Sequence, residues 1–143
     1  MANTFSTEAA LYLNNTPAKM ANSAVHGGNS RRYRATITLA SQASGDTITL
    51  ARIPVGSYFD GGSMVSTVTL GTSTVAIGVA GTAAKYKAAA VFTAVDTPTA
   101  FGTAAQTGSQ TGLTAYEDII LTIGVAALPA AGTLVVDLYF SAT

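Results

Sequence analysis

Leu134-Val135-Val136-Asp137-Leu138-Tyr139-Phe140 decides the fold class, because its large side chains can be split cleanly into two faces of a strand. Leu134, Val136, Leu138 and Phe140 fall on one side, and Asp137 falls on the other. Side chains that alternate in this way mark a strand with one buried face. Working outward, the same period appears in Thr36-Ile37-Thr38-Leu39, Thr47-Ile48-Thr49-Leu50 and Thr74-Val75-Ala76-Ile77-Gly78-Val79. It appears again over Glu117–Ala126, where Ile119, Leu121, Ile123 and Val125 share a side.

Between these runs lie turn residues. Ser44-Gly45-Asp46 and Leu128-Pro129-Ala130-Ala131-Gly132 are turns. The phase slip at Ala51-Arg52-Ile53 predicts a bulge before Pro54. Val55–Phe59 reads as a short strand closed by Asp60-Gly61-Gly62. Met64–Leu70 then reads as a strand joined through Gly71-Thr72-Ser73 in a tight hairpin to Thr74–Ala80. Ala83–Val91 is ambiguous: its alanines permit a helix, while Tyr86 and Val91 fit a strand. The reading taken is a short helix or irregular crossover. Ala94–Thr114 reads mainly as loop, with a brief strand near Thr99–Thr103. Ile53-Pro54-Val55-Gly56-Ser57 and Leu128–Thr133 echo one another as two apolar-Pro turns, which equivalent corners of a double sheet would explain.

Seven or eight strands with frequent turns predict an all-β, antiparallel jelly-roll or related Greek-key β-sandwich over residues 31–143. Residues 1–30 differ. Ser6 or Thr7 caps a possible short helix over residues 6–13, and a polar stretch to Ser30 reads as an extended arm. Leu11, Tyr12 and Leu13 are three adjacent bulky groups on that arm, and they nominate it as a segment that orders against a neighbouring subunit.

Composition narrows the function. Seven Lys and Arg balance seven Asp and Glu, so the basic surplus that a general nucleic-acid binder requires is missing. Charged residues make up 10% against about 25% in typical domains, which fits a surface covered by partners better than a dilute monomer. Met1–Thr7 has no basic residue and the apolar run that follows is short, so no secretory signal is read there. No run of eighteen apolar residues exists to span a membrane as a helix.

Chemistry is scarce. His26 lies in a Gly-rich arm with no rigid partner, and without cysteine the usual zinc sets cannot form. Glu117 and Asp118 are adjacent, so a strand points them to opposite faces. Asp46, Asp60 and Asp96 sit in turn contexts, and Asp137 is solvent-facing or paired with an arginine. No catalytic residue, metal ligand or cofactor is expected. Arg31, Arg32 and Arg34 are candidates for contact with an acidic partner surface, or for protection of a strand edge. Lys85-Tyr86-Lys87 reads as a partner contact or a solvated turn. Tyr58, Tyr86 and Tyr116 would be a thin platform for a sugar.

Several stretches also carry a resemblance. They are Arg31-Arg32-Tyr33-Arg34-Ala35-Thr36-Ile37-Thr38-Leu39, Gly45-Asp46-Thr47-Ile48, Ile53-Pro54-Val55-Gly56, the run from Ala76 to Lys87, and the ending from Gly132 to Phe140. Together they resemble the capsid cement, or decoration, proteins of short-tailed bacteriophages of the Bordetella phage type. The resemblance implies a jelly-roll subunit, made in the host cytoplasm and self-associated as a dimer or other small oligomer. It would clamp the exterior of the virion over junctions between major capsid proteins. It marks no contact residue. The rival expectations are a carbohydrate- or receptor-binding sandwich and another virion part, such as a head–tail joining or tail subunit.

Overall fold

The computed structural model describes Ala10, Leu11, Leu13, residues 17–20, Ser23 and residues 26–142. Eight strands form two antiparallel four-stranded sheets. They are β1 (Asn29–Thr38), β2 (Thr47–Ile53), β3 (Tyr58–Ser66), β4 (Thr74–Val79), β5 (Thr82–Val91), β6 (Thr99–Phe101), β7 (Glu117–Gly124) and β8 (Thr133–Ala142). One sheet runs β1-β8-β3-β6 and the other β2-β7-β4-β5. Strand 1 therefore pairs with 8, 2 with 7, 3 with 6 and 4 with 5, as if one long hairpin had been rolled up. That is the jelly-roll or related Greek-key sandwich expected from the alternating runs.

The alternation of β8 is realised as read: Leu134, Val136, Leu138 and Phe140 are buried. Ile119, Leu121 and Ile123 of β7 face them across the core. An aromatic cluster fills the space between the sheets at one level. Phe59 and Phe140 come from the first sheet and Tyr86 from the second, with ring centroids of Phe59 and Tyr86 4.5 Å apart. The bulge before Pro54 is present, with the β2–β7 register slipping between Thr49 and Ala51. The two apolar-Pro turns both carry the chain from the second sheet to the first, between β2 and β3 and between β7 and β8.

Four expectations are corrected. Asp60-Gly61-Gly62 does not turn the chain. The strand runs through it, and the register slips between Phe59 and Gly61 to leave Asp60 as a bulge. The predicted strand at Val55 therefore starts only at Tyr58. Gly62 is needed inside this strand because a Cβ there would lie 2.3 Å from the Phe101 ring of β6.

Second, β3 and β4 do not form a hairpin. They lie in different sheets, and residues 67–73 carry the chain across. Ser66 and Leu70 are both buried at this crossing, so the apolar pattern outlasts the strand.

Third, Ala83–Val91 is strand, not helix or crossover. It pairs with β4 through the two-residue turn Ala80-Gly81, where Gly81 takes φ 85°. Two register slips interrupt the pairing, between Val75 and Ile77 and between Ile77 and Val79. Extra residues in β5 destroy the period of two, and alanine's helix propensity is only a weak prior that tertiary pairing overrides. Lys85-Tyr86-Lys87 is accordingly not a solvated turn, because it lies mid-strand with Tyr86 buried.

Fourth, Val125 leaves the face of Ile119, Leu121 and Ile123. The strand ends at Gly124, and Val125 takes φ 68° with its side chain exposed.

The stretch before β7 contains β6 as the expected brief strand and one helical turn, α1 (Ala104–Thr107). In the arm, Ala10, Leu11 and Leu13 are helical. Tyr12 and the remainder of the helix expected over residues 6–13 lie outside the described residues.

Candidate interaction surfaces

The strand registers sort the charged side chains into cross-strand pairs. Arg34 of β1 stands opposite Asp137 of β8, and its guanidinium donates from Nε and a terminal nitrogen to the two carboxylate oxygens, each at 2.8 Å. The paired guanidinium, first by its hydrogen bonds, holds the Asp137 carboxyl below the usual carboxylate range. Arg52 and Asp118 repeat the arrangement between β2 and β7, at 2.7 and 2.8 Å, on the exposed side. Glu117 points the opposite way, as two adjacent strand residues must. It accepts hydrogen bonds from the Tyr86 hydroxyl at 2.6 Å and from the Lys85 ammonium. Burial, then the hydrogen bond to Glu117, pushes the Tyr86 phenol well above its ordinary value. Lys87 donates to the carbonyls of Val75 and Ala88, and its burial lowers its pKa.

These carboxylates thus act in pairs with bases, on separate faces. Among the described residues no group of three or more His, Asp or Glu could hold a metal ion. Tyr86 is withdrawn from any sugar platform, since it is fully buried.

Two surfaces stand out. The first is the end of the sandwich built from four connections, residues 39–46, 67–73, 92–98 and 125–132. Topology collects them there, since each joins strands at the same end of the roll. Backbone bonds knit them together. Ser41 N–H donates to Pro129 O at 3.0 Å, Leu128 N–H to Gln42 O at 2.9 Å, and Leu70 N–H to Phe92 O at 3.0 Å. The Ser73 hydroxyl donates to Ala127 O at 2.6 Å. None of these connections contains a Lys or Arg, and Asp46 and Asp96 are their only charges.

Exposed Val91, Val95 and Val125 lie on or beside this end. Among the described residues, every non-glycine residue with positive φ is also here: Ser41 at 56°, Asp96 at 51° and Val125 at 68°. A β-branched residue in that region is strained. Val125 centres a three-residue turn closed by Ala126 N–H to Gly124 O at 2.7 Å, and 77% of its surface is accessible.

The second surface lies on the outer face of the first sheet. The Asp60 bulge opens a hollow of about 470 Å³ over β3 and β6. Gly61, Gly62, Gly102 and Tyr139 are among the residues that line it. Asp60 supplies the single charged group of the lining and accepts a hydrogen bond from Ser141.

The sequence candidates are divided by the structure. Arg31, Arg32 and Arg34 are all exposed on the edge strand β1, and Arg34 is held by its ion pair with Asp137. In the arm, Leu13 is exposed and Leu11 partly covered. The hollow was not read from the sequence, because Asp60 looked like turn chemistry. The neutral end was missed because its four segments are far apart in sequence. The absence of bases from them becomes a pattern only once topology brings them together.

No protein-family model and no curated protein matches the sequence. Solved structures do share its fold. A chain of the cyanophage Pam1 capsid asymmetric unit superposes with a TM-score of 0.68 at 20% identity, over 91% of this chain and 97% of that one. A chain of the Ralstonia phage GP4 capsid gives 0.64 at 16% identity, over 81% and 86%. One from the acidic stable capsid structure of Helicobacter pylori bacteriophage KHP30 gives 0.57 at 15%, over 80% and 89%. The likeness is one of fold. Because both chains are covered to nearly the same extent in each pair, the matched chains are about as long as this one.

Proposed function

We propose that this chain is a non-enzymatic structural protein of a phage virion, a capsid cement protein that stabilises the shell by bridging neighbouring major capsid proteins. The observation that carries this reading is the match in both fold and length to chains within three phage capsids. A small chain of that size is suited to decorating a lattice built by larger proteins. The neutral four-loop end supports the reading, since it leaves apolar side chains outside and holds them on a rigid, cross-bonded frame. Arg31 and Arg32, with Leu11, Tyr12 and Leu13 of the arm, are further contact points toward shell or neighbour. The seat is the capsid exterior, reached after synthesis in the host cytoplasm.

The mechanism is mechanical. Each subunit spans a junction, and many modest contacts repeated around a closed lattice resist expansion more strongly than any one of them would alone. Adding purified protein to undecorated shells and counting bound copies tests this. Saturation at a fixed copy number per shell, with higher resistance to heat, is the expected result. Failure to bind at any concentration would remove the proposal.

A further inference from the structure

The outer face of the first sheet carries two opposite charges that find no ion-pair partner among the described residues. Of the three ion pairs among the described residues, Arg34–Asp137 lies on this face, whereas Arg52–Asp118 and Lys85–Glu117 belong to the second sheet. Arg32 and Asp60 remain on this face. Their placement follows from register: Arg32 of β1 stands opposite Tyr139 of β8, and Tyr139 stands opposite Gly61 of β3, beside the Asp60 bulge. The basic group, the aromatic ring and the acidic hollow therefore form one row across three strands, with Tyr139 in the middle. Adjacent strands lie about 4.8 Å apart, so Arg32 and the hollow flank Tyr139 at about equal distances.

We infer that this row is a self-complementary docking surface for a second copy of the chain, in which Arg32 of each copy enters the Asp60 hollow of the other. A two-fold axis parallel to β8 and passing over Tyr139 exchanges the two sides of the row while keeping the level along the strands. It thus sets Arg32 over the partner's Asp60 twice, as an isologous contact requires. The hollow suits a guanidinium. Asp60 offers a carboxylate, the Tyr139 ring offers aromatic surface for a flat cation, and the glycines of the lining leave room for the side chain to enter. Ser141 holds the carboxylate in place. Beside the row, Ser63, Val65 and Val135 are small and half-buried, and the charges of Arg34 and Asp137 on the same face are already matched within one copy by their ion pair.

This inference does not depend on the proposed function, and the test uses free protein. Sedimentation equilibrium of the full chain at low salt is expected to show a dimer. Asp60→Arg and Arg32→Asp alone should each weaken dimerisation at least ten-fold by placing like charges together. The double variant R32D/D60R should restore it by exchanging the partners. Asp60→Asn, which keeps an oxygen to accept from Ser141, should weaken it without disturbing the bulge, and far-UV circular dichroism verifies the fold of each variant. A wild-type protein that stays monomeric overturns the inference, as do single variants that dimerise like wild type or a double swap that fails to recover. If the wild type is monomeric while D60R still loses shell binding, the hollow receives a cation of the shell and the second copy is wrong. Dimerisation without shell binding counts against the proposed function alone.

Discussion

Removing a single oxygen from the core, by Tyr86→Phe, tests the packing that contradicts the helical reading of β5. Tyr86 is fully buried, its ring lies against Phe59 and Phe140, and its hydroxyl reaches Glu117 at 2.6 Å. The phenylalanine ring fills the same space, so the apolar contribution is retained and the loss isolates the hydrogen bond. A bond to a charged acceptor contributes about 1.5–3 kcal/mol net. Glu117 keeps Lys85 and is partly open to water, which places the expected loss near the lower bound, at about 1.5–2 kcal/mol. At about 3–4 °C per kcal/mol for a chain of this length, thermal unfolding should move down by about 6 °C. Urea unfolding should give the same loss with an unchanged slope. Combining Tyr86→Phe with Glu117→Gln should be less damaging than the sum of the single changes, because the first removes the bond whose charged acceptor the second neutralises. A Tyr86→Phe protein that melts within 1 °C of wild type, to within about 0.3 kcal/mol, refutes the buried tyrosine–glutamate contact and the strand that places it.

Three further perturbations probe other parts of the structure. Because the Arg34 guanidinium depresses the Asp137 pKa in the folded state, the pair stabilises above the unfolded carboxyl value of about 3.9. That stabilisation is lost as pH falls through the lower folded value, so Asp137→Asn should flatten stability against pH in acid titrations. An unchanged slope would remove the pair from that role. Thr122 buries its Oγ1 without a hydrogen-bond partner among the described residues, so the isosteric Thr122→Val should raise stability by about 1 kcal/mol in urea titration. A loss of similar size would mean that the hydroxyl is satisfied. Val125→Gly should also stabilise, by about 1 kcal/mol after glycine's greater unfolded entropy is set against relief of the positive-φ strain. The same change should weaken shell binding if the exposed side chain is a contact, so a variant stabler and equally well bound would take Val125 out of the interface.

The strands legible from the sequence are those whose pairing is regular. In β1 and β8 every residue from Asn29 to Thr38 finds its partner without a slip, so the alternation of Tyr33, Ala35 and Ile37 survives intact in the sequence. Where bulges intervene, the signal is lost. In β5 the slips around Ile77 and Val79 scramble the faces, leaving only Tyr86 buried in an alanine-rich run. Gly61-Gly62 looks like a turn because glycine usually marks one, yet here it makes way for Phe101 from the next strand. Val125 misleads in the reverse direction: its place continues the apolar period, but the backbone has already turned. The interaction surfaces follow the same rule. Exposed Arg31 and Arg32 could be named from their types alone. The Asp60 hollow depends on a bulge, and the neutral end depends on which loops the topology gathers.

The two surfaces also differ in what salt should do to them, and this separates their roles. The four-loop end has no base and only two carboxylates, one of which, Asp46, accepts the Ala43 N–H within its own turn. Contacts made there would rest on apolar area, which added salt does not screen. The Arg32–Asp60 exchange rests on charge at an exposed face, where the Debye length falls from about 10 Å at 0.1 M salt to about 3 Å at 1 M. Raising salt from 0.1 to 1 M should therefore weaken the free dimer several-fold and leave subunit binding to shells through the neutral end within about two-fold. Loss of both in parallel would mean that shell binding requires the dimer or is itself electrostatic. The neutral end would then no longer account for attachment, and the sheet face would have to be assigned both tasks.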